Sequence, residues 1–395
     1  MSGVRSGLDR WLDEGPAVAG LARGARLGLL SHAASVDRRG RSAIELLHAS
    51  GPAILERLFA PEHGLWGHQQ DMEQVGAAVD PLSGLPVISL YGEDAASLRP
   101  RPEQLERLDA VVVDLQDVGS RYYTFVYTLA HMMEAAAEIG LPVLVLDRPN
   151  PIGGLLVEGP VLDPRLASFV GRYPIPVRHG MTVGELARMF RGRFGIACDL
   201  RVVAMQGWER SMTFEQTGLP WVPPSPNMPS PATARVYPGG CLVEGTNLSE
   251  GRGTTLPFEL VGAPWFDAGG LAEAMRREEL PGVLFHPASF RPMFQKHARE
   301  PCAGVQVIVS DAGVFRPFAT YLVLLREARR QASEEFRWRT EAYEFETERL
   351  AIDLLLGRYE LRPRIEALAP LDEMEALWSD ELAKFQEGRG EFLLY

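Results

Sequence analysis

Short apolar runs alternate with longer stretches of helical period through the first 150 residues. Residues 26–31 (RLGLLS) predict a buried strand, and 42–48 the helix after it, with Ser42 as cap. Residues 53–60 predict a second strand and 85–90 a third. Proline opens a helical turn over 102–108. The run AVVVDL at 110–115 has the continuous apolar character of a central parallel strand. A helix over 125–139 ends at Gly140, and PVLVL at 142–146 is another parallel-type strand. The alternation predicts an α/β fold: a Rossmann-like, doubly wound parallel sheet with right-handed crossovers.

Further along, Thr182 caps a helix over 183–194, and Glu185 completes a capping box. Residues 220–231 (PWVPPSPNMPSP) hold six prolines in twelve positions and suit neither helix nor central strand. They divide the chain into a Rossmann-like catalytic domain, 1–231, and a smaller α+β domain, 232–395, that closes a cleft. In that second part 305–309 predicts a strand, and 317–332, 347–356 and 372–387 predict helices.

Polar clusters follow the strands of the first part: Ser31-His32, Glu62-His63, Asp114-Gln116-Asp117 and Asp147-Arg148-Asn150. Ligands of open α/β sheets bind at the carboxyl ends of strands, so one shared cleft accounts for all four. Pro61 must stop its strand, and Gly64 and Gly67 permit the sharp path that turns Glu62 over the sheet edge. Arg178-His179 and Asn227 add candidates. So does the glycine-rich stretch 243–255, with Glu244, Asn247, Glu250 and Arg252.

Composition narrows the chemistry. A formal net charge of -12, from 40 basic and 52 acidic residues, argues against nucleic acid and anionic membrane surfaces as partners. Cys198, Cys241 and Cys302 are odd in number and far apart, which predicts free thiols. No stretch approaches a membrane span, and the first ten residues lack a leader's apolar core. A cytoplasmic location is expected, or a periplasmic or secreted one where a leader precedes this sequence. Phosphate-loop, dinucleotide, nucleophile-elbow and His-Glu-x-x-His motifs are absent, so no cofactor and no metal is expected.

What remains is a surplus of carboxylates: Glu62, Asp117, Glu158, Glu244 and Glu250. Paired carboxylates with divergent proton affinities are the machinery of glycoside hydrolysis. Trp66, Tyr122, Tyr123 and Trp265 are suited to sugar faces, with core packing as the alternative. Arg121, Arg148, Arg178 and Arg252 exceed what a neutral sugar needs; they suit a ligand carboxylate, or internal ion pairs.

Six separated runs carry a resemblance: APEHG at 60–64, DLQDVGSRYYT at 114–124, LDRPNP at 146–151, YPIPVRHGMT at 173–182, PPSPNMP at 223–229 and EGTNLSEGRGT at 244–254. From about residue 26 to residue 395 the chain resembles the exo-β-N-acetylmuramidases of peptidoglycan turnover. The resemblance implies a cleft between a Rossmann-like domain and a smaller one. It also implies removal of N-acetylmuramic acid from the non-reducing end of muropeptide or peptidoglycan fragments. The lactyl carboxylate of muramic acid would account for the arginines. Glu62 is the first choice for a catalytic role, with Glu250, Glu244, Asp117 or the substrate's own acetamido group as its partner. His63, Arg121, Tyr123, Asn150, Arg178, His179, Asn227, Asn247 and Arg252 are the remaining candidates for substrate contact. A non-catalytic muropeptide sensor and a metal-dependent deacetylase or amidase are the alternatives from other classes.

Overall fold

Seven strands build the first sheet: β1 (Arg26–Ser31), β2 (Ile54–Ala60), β3 (Ala78–Val79), β4 (Pro86–Ser89), β5 (Ala110–Asp114), β6 (Val143–Leu146) and, after two strands of a separate ribbon, β9 (Leu200–Val203). The fold comes from a computed structural model that describes residues 3–50, 53–70 and 78–395. Met1 and Ser2, part of the stretch searched for a leader, lie outside the described residues. The order is β3-β4-β2-β1-β5-β6-β9, parallel throughout except for the antiparallel edge pair β3–β4. The chain leaves β1 toward β2 and β4, then returns to pair β5 on the other side of β1. That reversal is the switch point at which open α/β sheets form their ligand crevice.

Both faces of this sheet are covered, which is why its strands read as continuous apolar runs. On one face Leu27, Leu29, Leu58 and Val112 pack with Leu8 and Trp11 of the helix Gly7–Glu14 and with Leu47 of the helix Ala43–Ser50. On the other, Leu30, Phe59, Val111 and Val113 meet Leu129 and Met133 of the helix Phe125–Glu138. The capping box at Thr182 and Glu185 starts the helix Val183–Gly192 as expected. The expected helix at 102–108 is shorter, a single 3-10 turn at Pro102–Gln104.

β7 (Glu158–Val161) and β8 (Pro176–Arg178) form the small antiparallel ribbon. β10 (Leu260–Ala263), β11 (Val283–Phe290) and β12 (Cys302–Val309) make a three-stranded antiparallel sheet, ordered β10-β12-β11, backed by helices Pro231–Gly240, Ala268–Arg277 and Pro317–Gln331. The molecule is therefore α/β, a Rossmann-like part with a smaller α+β part. Two of the later helices differ from expectation. The one expected at 347–356 begins only at Ala351, because Tyr343 and Glu346 pair across a tight loop before it. The one expected at 372–387 is broken at 376–378 into Leu371–Glu375 and Ser379–Gly388.

The two parts share one hydrophobic core, running from Val111 and Met133 to Val305, Phe318 and Leu355. Polar seams reinforce it. The Glu158 carboxylate accepts from Phe318 N (3.2 Å) and Ala319 N (2.8 Å) at the start of the helix Pro317–Gln331, where exposed amides and the helix dipole favour an anion. Residues 389–395 return to the first sheet. Arg389 donates to the carbonyls of His179 and Gly180, and the Tyr395 hydroxyl reaches Asp147 Oδ2 at 2.7 Å. Among the described residues no helix is long and apolar enough to cross a membrane.

Candidate active site

β2 ends in the buried pair Phe59 and Ala60, and Pro61 stops the ladder. The loop beyond it turns through three left-handed residues: His63 (φ 66), Gly64 (φ 75) and Gly67 (φ 64). For glycine this backbone is free; for His63 it is strained, a cost of roughly 1–3 kcal/mol of the kind that gathers at functional sites. His63 Nδ1 lies 2.9 Å from the Gln69 carbonyl, which only accepts, so that nitrogen carries the proton. Glu62 is buried, and its Oε2 accepts a 2.6 Å hydrogen bond from Thr124 Oγ1. Thr124 is the residue before the helix Phe125–Glu138, so a fixed element holds the carboxylate.

The facing wall comes from the second part of the chain. Glu244 sits in a 3-10 turn, Cys241–Gly245. Its Oε1 accepts from Arg252 Nη2 at 2.6 Å and its Oε2 from the Tyr343 hydroxyl at 2.7 Å. Arg252 also lies 5.2 Å from the Phe258 ring centroid, and its Nε is 3.4 Å from Glu250 Oε1. Lys296 closes the chain of alternating charges, 2.9 Å from Glu250 Oε2. Burial raises the phenols of Tyr123, Tyr237 and Tyr343 well above their ordinary range, so all three remain hydrogen-bond donors.

Between these walls lies a narrow cleft lined by Glu62, His63, Tyr123, Thr124, Ser225, Asn227, Tyr237, Glu244, Arg252, Tyr343 and Glu344, with apolar neighbours. Of the residues singled out from sequence, it gathers Glu62, His63, Tyr123, Asn227, Glu244 and Arg252. Asn227 also donates to Gln70 Oε1 at 2.9 Å from the proline-rich loop. Tyr122, also singled out for sugar faces, lines the cleft as well, although almost none of it is exposed.

The others are committed elsewhere. Arg121 is completely buried, donating to the carbonyls of Pro160, Ile175, Leu355 and Leu356. Arg178 donates to Ile152 O and Phe315 O, and burial pulls its pKa down to about 10. Both are seam residues, away from the cleft. Arg148 holds Asp114 bidentately at 2.5 and 2.7 Å. Asn150 folds its own turn, donating to Met181 O and accepting from Ile152 N. Asn247 pins its loop to Glu335 O and Arg337 N. Asp117 accepts from Gly119 N at 2.8 Å and faces His179 Nε2 at 3.4 Å, both side chains being buried outside the cleft lining. Glu250 likewise stands behind Arg252, held by Lys296. His32, from the first polar cluster, accepts from Gln116 N and contacts Pro224 O, and burial lowers its pKa to about 3, so it is neutral.

Thr124, Ser225, Tyr237, Tyr343 and Glu344 were not legible as site residues. Thr124 and Ser225 fall inside motif runs, the one signal that pointed to them. Tyr343 and Glu344 lie in an isolated loop with no motif at all. Among the described residues, no three His, Cys, Asp or Glu side chains are grouped to hold a metal ion.

Comparison with known proteins places the chain in a family. Residues 27–232 match the family model described as exo-beta-N-acetylmuramidase NamZ, N-terminal, and residues 235–395 its C-terminal counterpart. The chain is 42% identical over 392 residues to the peptidoglycan beta-N-acetylmuramidase NamZ of Bacillus subtilis (strain 168), spanning 99% of this chain and 91% of that protein. Two crystal structures of DUF1343 family proteins from Bacteroides fragilis NCTC 9343 superpose on it. One has a TM-score of 0.88 at 34% identity, covering 99% of both chains; the other has 0.76 at 27%, covering 100% and 99%. On the strength of both halves of the model and a relative matched nearly end to end, the chain belongs to the NamZ exo-β-N-acetylmuramidase family.

Proposed function

We propose that the protein removes terminal N-acetylmuramic acid from peptidoglycan fragments, and that Glu62 and Arg252 divide the work across the cleft. The observation that carries the reading is a buried carboxylate, held at 2.6 Å by Thr124, facing a buried arginine–carboxylate pair from the other part of the chain. Glu62 is the proton donor to the leaving oxygen, a task that needs a positioned, desolvated carboxyl group. Glu244 shares the cleft and is the second carboxylate; its two hydrogen bonds fix its orientation toward charge that develops on the sugar ring. Arg252 receives the lactyl carboxylate, the group that distinguishes muramic acid from glucosamine. Asn227 and Tyr123, on the walls, are suited to the acetamido and hydroxyl groups of the same ring.

The test is a pair of chromogenic substrates, a β-N-acetylmuramide and the matching β-N-acetylglucosaminide. One charge-assisted contact contributes about 1.5–3 kcal/mol, which predicts a preference for the muramide of about 10- to 150-fold. Replacing Arg252 with Leu should erase that preference. Equal rates on the two substrates with the unaltered protein would remove Arg252 from its role.

A further inference from the structure

The cleft has a neighbour. Val170, Tyr343 and Glu344 line it and also line a second, more open chamber of about 390 Å³. The two spaces share these residues as a common wall. Glu344 is fixed there by the Tyr91 hydroxyl, 2.8 Å from its Oε2, and takes up a left-handed backbone (φ 53) that an ordinary loop residue avoids. Beyond it, Phe169 and Phe345 are half-buried and face each other edge-on, with ring centroids 5.3 Å apart. Tyr91 packs on both, at 5.6 and 5.5 Å. Such a cluster holds each ring in place while leaving part of it open to the chamber.

The chamber's charged groups are already occupied. Arg172 is paired with Glu134 at 2.8 Å, and Arg349 is held by Glu346 and the carbonyls of Arg165 and Ala167. His131 is neutral at ordinary pH, because burial lowers its pKa to about 4. Its charges are thus balanced within the lining, and what it presents besides them is aromatic surface, suited to carbohydrate CH faces.

We propose that this second chamber is the subsite for the saccharide on the leaving-group side of the scissile bond, its first ring lying on Phe169 and Phe345. The inference rests on the muramidase reading of the adjoining cleft. If the terminal muramic acid fills the cleft, the remaining chain must lie in a space beside it, and the chamber that adjoins the cleft at Val170, Tyr343 and Glu344 is such a space. Glu344 then stands at the junction, beside the bond to be broken.

The experiment compares two substrates that share the muramyl unit and differ in what leaves. In N-acetylmuramyl-β-1,4-N-acetylglucosamine a sugar departs; in β-N-acetylmuramyl fluoride a single ion does. Phe345→Ala and Phe169→Ala should each lower kcat/KM on the disaccharide by about 2- to 12-fold, the weight of one aromatic contact. Turnover of the fluoride should stay unchanged, which also certifies that the variants fold. Phe345→Trp, which keeps the platform, should restore disaccharide turnover. Equal losses on both substrates would make the two rings merely structural and overturn the proposal; so would unaltered disaccharide kinetics. A loss confined to a disaccharide bearing peptide on its lactyl group would assign the chamber to peptide instead. Failure of the muramidase reading looks different, because the unaltered protein would then hydrolyse neither substrate.

Discussion

The seam between the two parts of the chain and the cleft that opens beside it are built from the same residue types, arginine and glutamate, used in opposite ways. In the seam, Arg121 gives its donors to four main-chain carbonyls, and Glu158 takes two main-chain amides. In the cleft, Arg252 pairs with Glu244 and Glu250, Glu244 also accepts from the Tyr343 hydroxyl, and Glu62 accepts from the Thr124 hydroxyl. Main-chain partners cannot move without moving the fold, so they make a charged side chain a structural rivet. Side-chain partners can turn toward a ligand, so where they line a cleft they leave the charged group available as a reagent. Burial does not distinguish the two regions, since Arg121, Glu158, Glu62 and Arg252 are all buried.

The sharpest way to break this comparison is to substitute one residue on each side. Glu62→Gln is nearly isosteric, and its amide oxygen can still accept from Thr124. Turnover of a natural disaccharide should fall about 10²- to 10⁴-fold, the usual weight of general acid–base catalysis, with the urea midpoint unmoved. The fall should shrink on a substrate whose leaving group needs no proton. If turnover survives, Glu244 or Glu344 carries the proton.

Arg121→Met should do the reverse. It strands buried carbonyl groups and costs about 3–5 kcal/mol in urea unfolding, while the protein that remains folded keeps its KM for the muramide. A rise in KM without loss of stability would return Arg121 to the ligand-binding set.

A smaller effect sharpens the same point through pH. His32 has two main-chain contacts, Gln116 N and Pro224 O, and a folded pKa lowered to about 3 by burial. Its unfolded value is about 6.5, so between these limits the unfolded chain binds a proton that the folded one does not. Its contribution is present above pH 6.5 and is lost as pH falls, at about 1.4 kcal/mol per unit. Asp147, raised to about 6 by burial, acts in the opposite sense over part of that window. The measurement is therefore a difference: His32→Gln should flatten the stability profile between pH 6.5 and 4 relative to the unaltered protein. Parallel profiles would mean that His32 is charged in the fold.

The contrast also explains what sequence could and could not reveal. Periodicity and punctuation identified β1, β2, β5 and β6, because fully buried parallel strands leave continuous apolar runs. The alternation of strand and helix then led to the α/β architecture. Residue type gave the polar demand of Arg121 and Arg178 correctly but not its supplier. The carbonyls of Leu355 and Leu356 lie 234 and 235 positions from Arg121, and no local pattern encodes that meeting. Glu344 escaped for the complementary reason: its importance comes from Tyr91 and the space beside it, and nothing in its own segment marks it. Similarly, 372–387 has the composition of one helix, and the break at 376–378 is set by packing, with Trp378 buried against Phe318.

The contact between Asp147 and Tyr395 imposes an order in time. Asp147 follows β6 and is completely buried, and one of its partners lies 248 positions later in the chain. At about 5–20 residues per second, a ribosome that has made Asp147 takes roughly 12–50 s more to deliver that partner, and one that has completed the parallel sheet at Val203 roughly 10–40 s. Throughout that interval the nascent sheet edge holds a carboxylate short of one of its donors, and the groove that residues 389–395 will fill stands open to water or to a chaperone. Closure of that groove therefore waits on residues 389–395, and a chain cut short of Tyr395 carries a buried Asp147 without its Tyr395 donor.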